Sequence, residues 1–146
     1  LDWMEQESFA GCIYEDYRGN IDKTTMTLLY GHNMAAGTMF SNIKYFKDPA
    51  WGKSHPYFEV ASTEKRDLYG ESGAEFAYWR PNKGLTMNKE EHLEYLQQIK
   101  KTSLVWYGKD DVKEYLDSNV IVLQTCNSGD DDGMRCVIFA RCLGER

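Results

Sequence analysis

The chain has 146 residues, of which 42% are hydrophobic and 14% aromatic, and its formal net charge is −6. That size and composition fit one folded domain around a single core, and exclude a disordered or low-complexity chain. The acidic balance argues against nucleic acid or an anionic membrane surface as the main partner, and no apolar run reaches the roughly 20 residues of a membrane helix.

The chain opens on "LDWMEQ", without an initiator Met, so upstream sequence is expected to have been processed or cut away. "GCIYEDY" (11–17) reads as a short strand that ends in the charged turn "RGNID". "TTMTLLYGHN" (24–33) reads as a second strand, with Met26, Leu28, Tyr30 and His32 on one face. In "MAAGTMFSNIKYFKD" (34–48), Met39, Ile43 and Phe46 recur at helical spacing. Two prolines punctuate "DPAWGKSHP", which predicts a turn or a short helical piece. "YFEVAS" (57–62) is strand-like, and "RDLYGESGAEFAYWR" (66–80) reads as a bent strand in which Gly70 and Gly73 allow a bulge.

The plainest helix is "NKEEHLEYLQQIKKTS" (88–103). Asn88 can cap it and Glu91 holds the capping-box position, while early Glu and late Lys residues suit the macrodipole. Leu93, Leu96 and Ile99 give it an apolar stripe, and His92 is expected on or near its solvated face. Two strands follow, roughly 119–126 and 134–143, joined by the acidic "GDDDG". Short strands outnumber helices, so the expected fold is one domain, mainly β with helical insertions.

Chemistry has few candidate carriers. The four cysteines, Cys12, Cys126, Cys136 and Cys142, form no CxxC pair, and "GDDDG" lacks the alternating spacing of a calcium loop, so no metal site or cofactor is expected. A buried, inert thiol is the bland reading of each cysteine. A nucleophilic one needs an imidazole or guanidinium nearby. Cys126 closes its strand and Arg135 opens the next, so a hairpin would bring them to one end of the sheet. Alternation places Val120, Val122 and Gln124 on the face of Cys126, and Arg135, Val137, Phe139 and Arg141 on one face of the returning strand. Cys136 and Cys142 fall on the opposite face of that strand. Arg141 is the other possible partner, but six strand residues put it about 20 Å from Arg135. Among His32, His55 and His92, only His32 ends an apolar strand, in "LLYGHNM". Strand ends on a rigid scaffold commonly carry functional groups.

The order "LLYGHNM", "GTMFSNIKYFKD", a long insertion with a helix, "VLQTC" and then "RCVIFA" resembles the sortases, the cysteine transpeptidases of Gram-positive surfaces. The details resemble class B: "GCIYEDYRGN" is similar to the segment before its His strand, and the helix 88–103 to its insertion. The resemblance covers essentially the whole chain and implies a sortase-like β-barrel over 1–146. That class carries N-terminal helices, two early strands and a membrane anchor before the point matching "LDWMEQ", so a barrel incomplete at its N-terminal side is expected. Gln124 stands where the class commonly has Ser.

What the resemblance implies for function is specific. Cys126 is the nucleophile that attacks the Thr carbonyl of an NPxTx-like sorting signal. His32 is the general acid, and Arg135 holds substrate and oxyanion. A thioester acyl-enzyme follows, resolved by an amine from a peptidoglycan precursor or a pilin lysine. Asn33, Thr125, Tyr78 and Trp79 are the substrate-binding candidates, with Asn33 also able to orient the loop around His32 and Thr125 able to act through its backbone. Imidazole ordinarily titrates below a thiol, so the ion pair is a minority state and a slow enzyme is expected. The implied partners are surface proteins bearing a sorting signal, with no nucleic acid, and the implied location is the outer face of the cytoplasmic membrane of a Gram-positive bacterium. The rivals are a cysteine peptidase that hydrolyses its acyl-enzyme and a sortase-like binding module without activity.

Overall fold

The run "VIVLQTC" contains no charged residue, which is the signature of a strand covered on both faces. In a computed structural model that describes residues 4, 6–61, 66–75, 85–126 and 135–145, it is the strand β6, Val120–Cys126, buried along its length except at Cys126. Around it lie β1 (Tyr14–Glu15), β2 (Met26–Tyr30), β3 (Tyr57–Ala61), β4 (Arg66–Glu75), β5 (Val105–Trp106) and β7 (Arg135–Glu145). The sheet order is β1-β2-β6-β7-β4-β3, with β5 pairing β4. This path is a curled, mainly β half-barrel; β2 and β6 run parallel and the other pairs are antiparallel. β1 and β3 stand at opposite ends of the path.

Alternation along β6 and β7 divides the interior into two cores. On one face Met26, Leu28, Val120, Val122, Val137 and Phe139 pack under the helix α2 (Lys89–Thr102) and the 3₁₀ turn Val112–Tyr115. On the other, Ile121, Leu123, Cys136, Ile138 and Ala140 pack against Tyr69 of β4 and against Ile43 and Phe46 of a 3₁₀ helix, Ser41–Lys47. The segment 34–48 was expected to be helical, and the helix present is this tighter seven-residue form. The short helix α1 (Pro49–Ser54) follows at once, capped by the Asp48 carboxylate, which accepts from the Ala50 amide at 2.9 Å.

α2 begins where the capping box predicts: Asn88 accepts from the Glu91 amide at 2.9 Å, and the Glu91 side chain accepts from the Asn88 amide at 3.3 Å. Its buried stripe is His92, Tyr95, Leu96 and Ile99. His92 is therefore not on the solvated face. It occupies the first position of the i, i+3, i+4, i+7 row and is 1% exposed. The bulge expected in β4 is present as a register shift against β7 between Glu71 and Gly73. The "GDDDG" turn and the candidates Tyr78 and Trp79 lie outside the described residues.

Candidate active site

Two parallel strands bring their carboxyl ends to the same edge of the sheet. The register sets Tyr30, the last residue of β2, level with Gln124 of β6. Cys126 lies two residues beyond Gln124, and His32 two residues beyond Tyr30. β7 starts at this same edge, with Arg135 directly paired to Cys126. Cross-strand partners present their side chains on one face. One cleft of about 520 Å³ is lined by His32, Cys126, Arg135, Gln124, Tyr30 and the Tyr14–Tyr17 segment, together with Gly31 and Thr125.

The loop that carries His32 is sewn to the Cys126 strand on both sides. Before it, the Gly31 amide donates to the Gln124 carbonyl at 3.1 Å, and the Thr125 hydroxyl donates to the Gly31 carbonyl at 2.7 Å. After it, the Asn33 side-chain amide donates to the Cys126 carbonyl at 2.9 Å. His32 itself accepts at its carbonyl from the Phe40 amide at 3.0 Å, and Asn33 forms a bridge with Met39, whose φ of 58° is left-handed. A Cβ at Gly31 would meet the Phe40 ring at 2.7 Å, so this position needs glycine for the close approach of that ring.

Asn33 and Thr125 thus spend side-chain hydrogen bonds on holding the loop. Thr125 is 2% exposed, and its paired residue on β7 is Cys136. Arg141 is at the far end of β7, paired with Val120 and lying 5.4 Å from the Tyr115 ring centroid. Of the four cysteines, all unbonded, Cys126 is exposed, Cys12 and Cys142 are half-buried and Cys136 is buried. Burial pushes the Cys136 thiol up to about 11, with nearby Lys47 opposing weakly. His55 closes α1, stacked on Trp51 with ring centroids 4.0 Å apart.

One feature of the cleft was not singled out from the sequence. Asp16, on the wall formed by β1 and the residues after it, is 7% exposed and is held by Arg18 and Tyr30. Arg18 hydrogen bonds hold its carboxyl well below the usual carboxylate range, against the opposing effect of burial. In "YEDYRG" these charges read as an ordinary solvated turn. Among the described residues, no cluster of three or more His, Cys, Asp or Glu could hold a metal ion.

No family model matches the chain. Sortase B of Listeria monocytogenes is 30% identical over 138 residues, covering 88% of this chain and 52% of that protein. The chain therefore spans about half the length of the curated relative it matches. Among solved structures, sortase B of Clostridium perfringens superposes with a TM-score of 0.79 at 25% identity, over 95% of this chain and 76% of that one. A substrate complex of Staphylococcus aureus sortase B superposes with a TM-score of 0.83 over 98% of this chain and 67% of that one, and at 19% identity it speaks for the fold alone. In sequence and in fold together, this chain is similar to class B sortases.

Proposed function

We propose that the chain is the catalytic part of a sortase-type cysteine transpeptidase. The Cys126 thiolate attacks the Thr carbonyl of an NPxTx-like sorting signal on a surface protein. The C–N bond breaks as His32 delivers a proton to the departing amine, leaving a Cys126 thioester. Arg135 holds the substrate carbonyl side and offsets charge on the oxyanion. An amine then attacks the thioester, losing its proton to the imidazole, and the thiolate leaves. The acceptor is a peptidoglycan precursor or a pilin lysine, and the reaction takes place at the outer face of a Gram-positive cytoplasmic membrane. Asn33 and Thr125 act on substrate binding through the loop that they hold against β6 beside the thiol.

The observation that carries this reading is the convergence of His32, Cys126 and Arg135 on one cleft at one sheet edge. The homology to sortase B supports the reaction type. Mass spectrometry of the protein after incubation with a thiol-reactive sorting-peptide analogue tests it. The expected result is one adduct on Cys126 that Cys126→Ala abolishes; an adduct on Cys136 or Cys142 would overturn the assignment. Products with and without an added amine separate the transpeptidase from a hydrolytic peptidase, which would release acid in both.

A further inference from the structure

Asp16 is the one carboxylate among the described buried residues. A buried charge persists only when it is paired and hydrogen-bonded, and both oxygens here are fully engaged. Oδ1 accepts from the Arg18 amide at 3.0 Å and from Arg18 Nε at 2.7 Å. Oδ2 accepts from Arg18 Nη2 at 2.9 Å and from the Tyr30 hydroxyl at 2.9 Å. The Asp16 amide in turn donates to the Leu28 carbonyl at 2.8 Å. The chain just after β1 is therefore tied to β2 at two levels, by backbone at Leu28 and by side chain at Tyr30. The Tyr14 ring, paired to Tyr30 across β1–β2, stacks on it with centroids 5.1 Å apart.

Tyr30 is where β2 ends, and His32 is the second residue after it. The parallel register makes Tyr30 the counterpart of Gln124, two residues before Cys126. Whatever fixes Tyr30 fixes the point from which His32 leaves the sheet relative to the thiol. Gly31 and Asn33 are tied to β6, but both ties run along the β6 side of the loop. The Asp16 tie comes from the other side, through β1.

We propose that Asp16 is a positioning residue for the thiol–imidazole pair: its carboxylate, gripped by the Arg18 fork, anchors Tyr30 and with it the end of β2 that presents His32 to Cys126. The role of His32 in this inference rests on the transpeptidase reading. The Arg18–Asp16 pair fixes the carboxylate rotamer by a bidentate fork, which leaves one oxygen aimed at a single acceptor position for the phenol. Asparagine breaks the fork, since in either orientation its NH2 would face an Arg18 N–H donor. Asp16 touches no reacting atom. It acts through geometry, where a misplacement of about 1 Å can cost on the order of a hundredfold in rate.

The test compares the wild-type chain with Asp16→Asn, Asp16→Glu and Tyr30→Phe. Three quantities are read: the pH profile of Cys126 alkylation by iodoacetamide, resolved by peptide mass; kcat and KM for sorting-peptide cleavage; and the thermal midpoint. Asp16→Asn is expected to move the alkylation midpoint and to lower kcat by about tenfold or more while KM stays within about twofold. Tyr30→Phe removes a single hydroxyl and is expected to reproduce the shift in a folded protein. Asp16→Glu, which keeps the charge, is expected to recover part of kcat. Unchanged alkylation profiles in both Asp16→Asn and Tyr30→Phe would overturn the proposal, as would a loss of kcat that merely follows the loss of folded protein. If the wild-type chain forms no acyl-enzyme, the transpeptidase reading fails, while the alkylation profiles still decide whether Asp16 positions the pair.

Discussion

Cys126 and Arg135 face each other as the last pair of the β6–β7 ladder. Directly opposed residues hold their Cβ atoms about 4.5–5.5 Å apart, so the guanidinium is within reach of whatever the thiol binds. Charge alone does not describe Arg135, because its planar fork can hold a carbonyl oxygen with two donors. Arg135→Ala is expected to lower kcat/KM by roughly a hundredfold to a thousandfold, the usual cost of an oxyanion donor. Arg135→Lys, which keeps charge and loses the fork, is expected to fall between. Steady-state cleavage of a sorting peptide measures both; a lysine variant equal to wild type would assign Arg135 a purely electrostatic role.

Cys136 stands one residue away from Arg135 yet is chemically remote from the cleft. Its side chain belongs to the opposite core, and burial pushes its thiol up to about 11. At pH 8 only about 0.1% of such a thiol is thiolate, before access is counted. Brief alkylation at pH 8 is expected to modify Cys126 before Cys136, and Cys136→Ala is expected to leave adduct formation at Cys126 intact. Peptide mapping after timed quenching checks the order. Modification of Cys136 first would mean that this end of the sheet opens readily.

The period-2 pattern of "VIVLQTC" and "RCVIFARC" was enough to divide the cysteines and arginines between the two faces, because both strands are regular and inner. The capping box of α2 was legible for the same reason: it is local. What escaped was non-local. Asp16 and Arg18 read as a charged turn because nothing in "EDYRG" says that Tyr30, fourteen residues on, donates to the carboxylate. His92 was misplaced because polarity was read before position: the helix row 92, 95, 96, 99 needed no apolar residue at its first site. The helix expected in 34–48 tightened to 3₁₀ because Ile43 and Phe46, three apart, both reach the second core.

Gly31 adjoins His32 under the Phe40 ring. A methyl there would stand 2.7 Å from two ring atoms, closer than side-chain carbons tolerate. Gly31→Ala is expected to destabilise the fold by about 1–3 kcal/mol, the range for overpacking, and to impair acylation by displacing the loop. Phe40→Leu in the Gly31→Ala background is expected to restore part of both. Urea denaturation and acyl-enzyme yield measure the two effects; no recovery in the double variant would locate the damage in the backbone rather than in the ring contact.

His92 is expected to make the fold sensitive to mild acid. Its ring is buried on the core side of α2, its Nε2 has no hydrogen-bond partner among the described residues, and it interacts with the Leu116 backbone. Burial lowers its pKa below the usual 6.5, with the Leu116 hydrogen bond opposing. Below about pH 6.5 the unfolded chain therefore binds a proton that the native chain refuses, and stability falls with falling pH by up to about 1.4 kcal/mol per unit. Asp16 works in another window. Its depressed pKa gives stability that is present above the ordinary carboxylate value near 4 and is lost only as pH falls through that value and below. Between pH 7 and 5 His92 therefore lowers stability as pH falls, while Glu15, whose carboxyl is pushed up by burial, acts in the opposite sense toward the acid end of that interval. His92→Leu, which fills the same row without a titrating ring, is expected to flatten the pH dependence of the urea midpoint across that interval. A slope that persists unchanged in His92→Leu would assign it to another group.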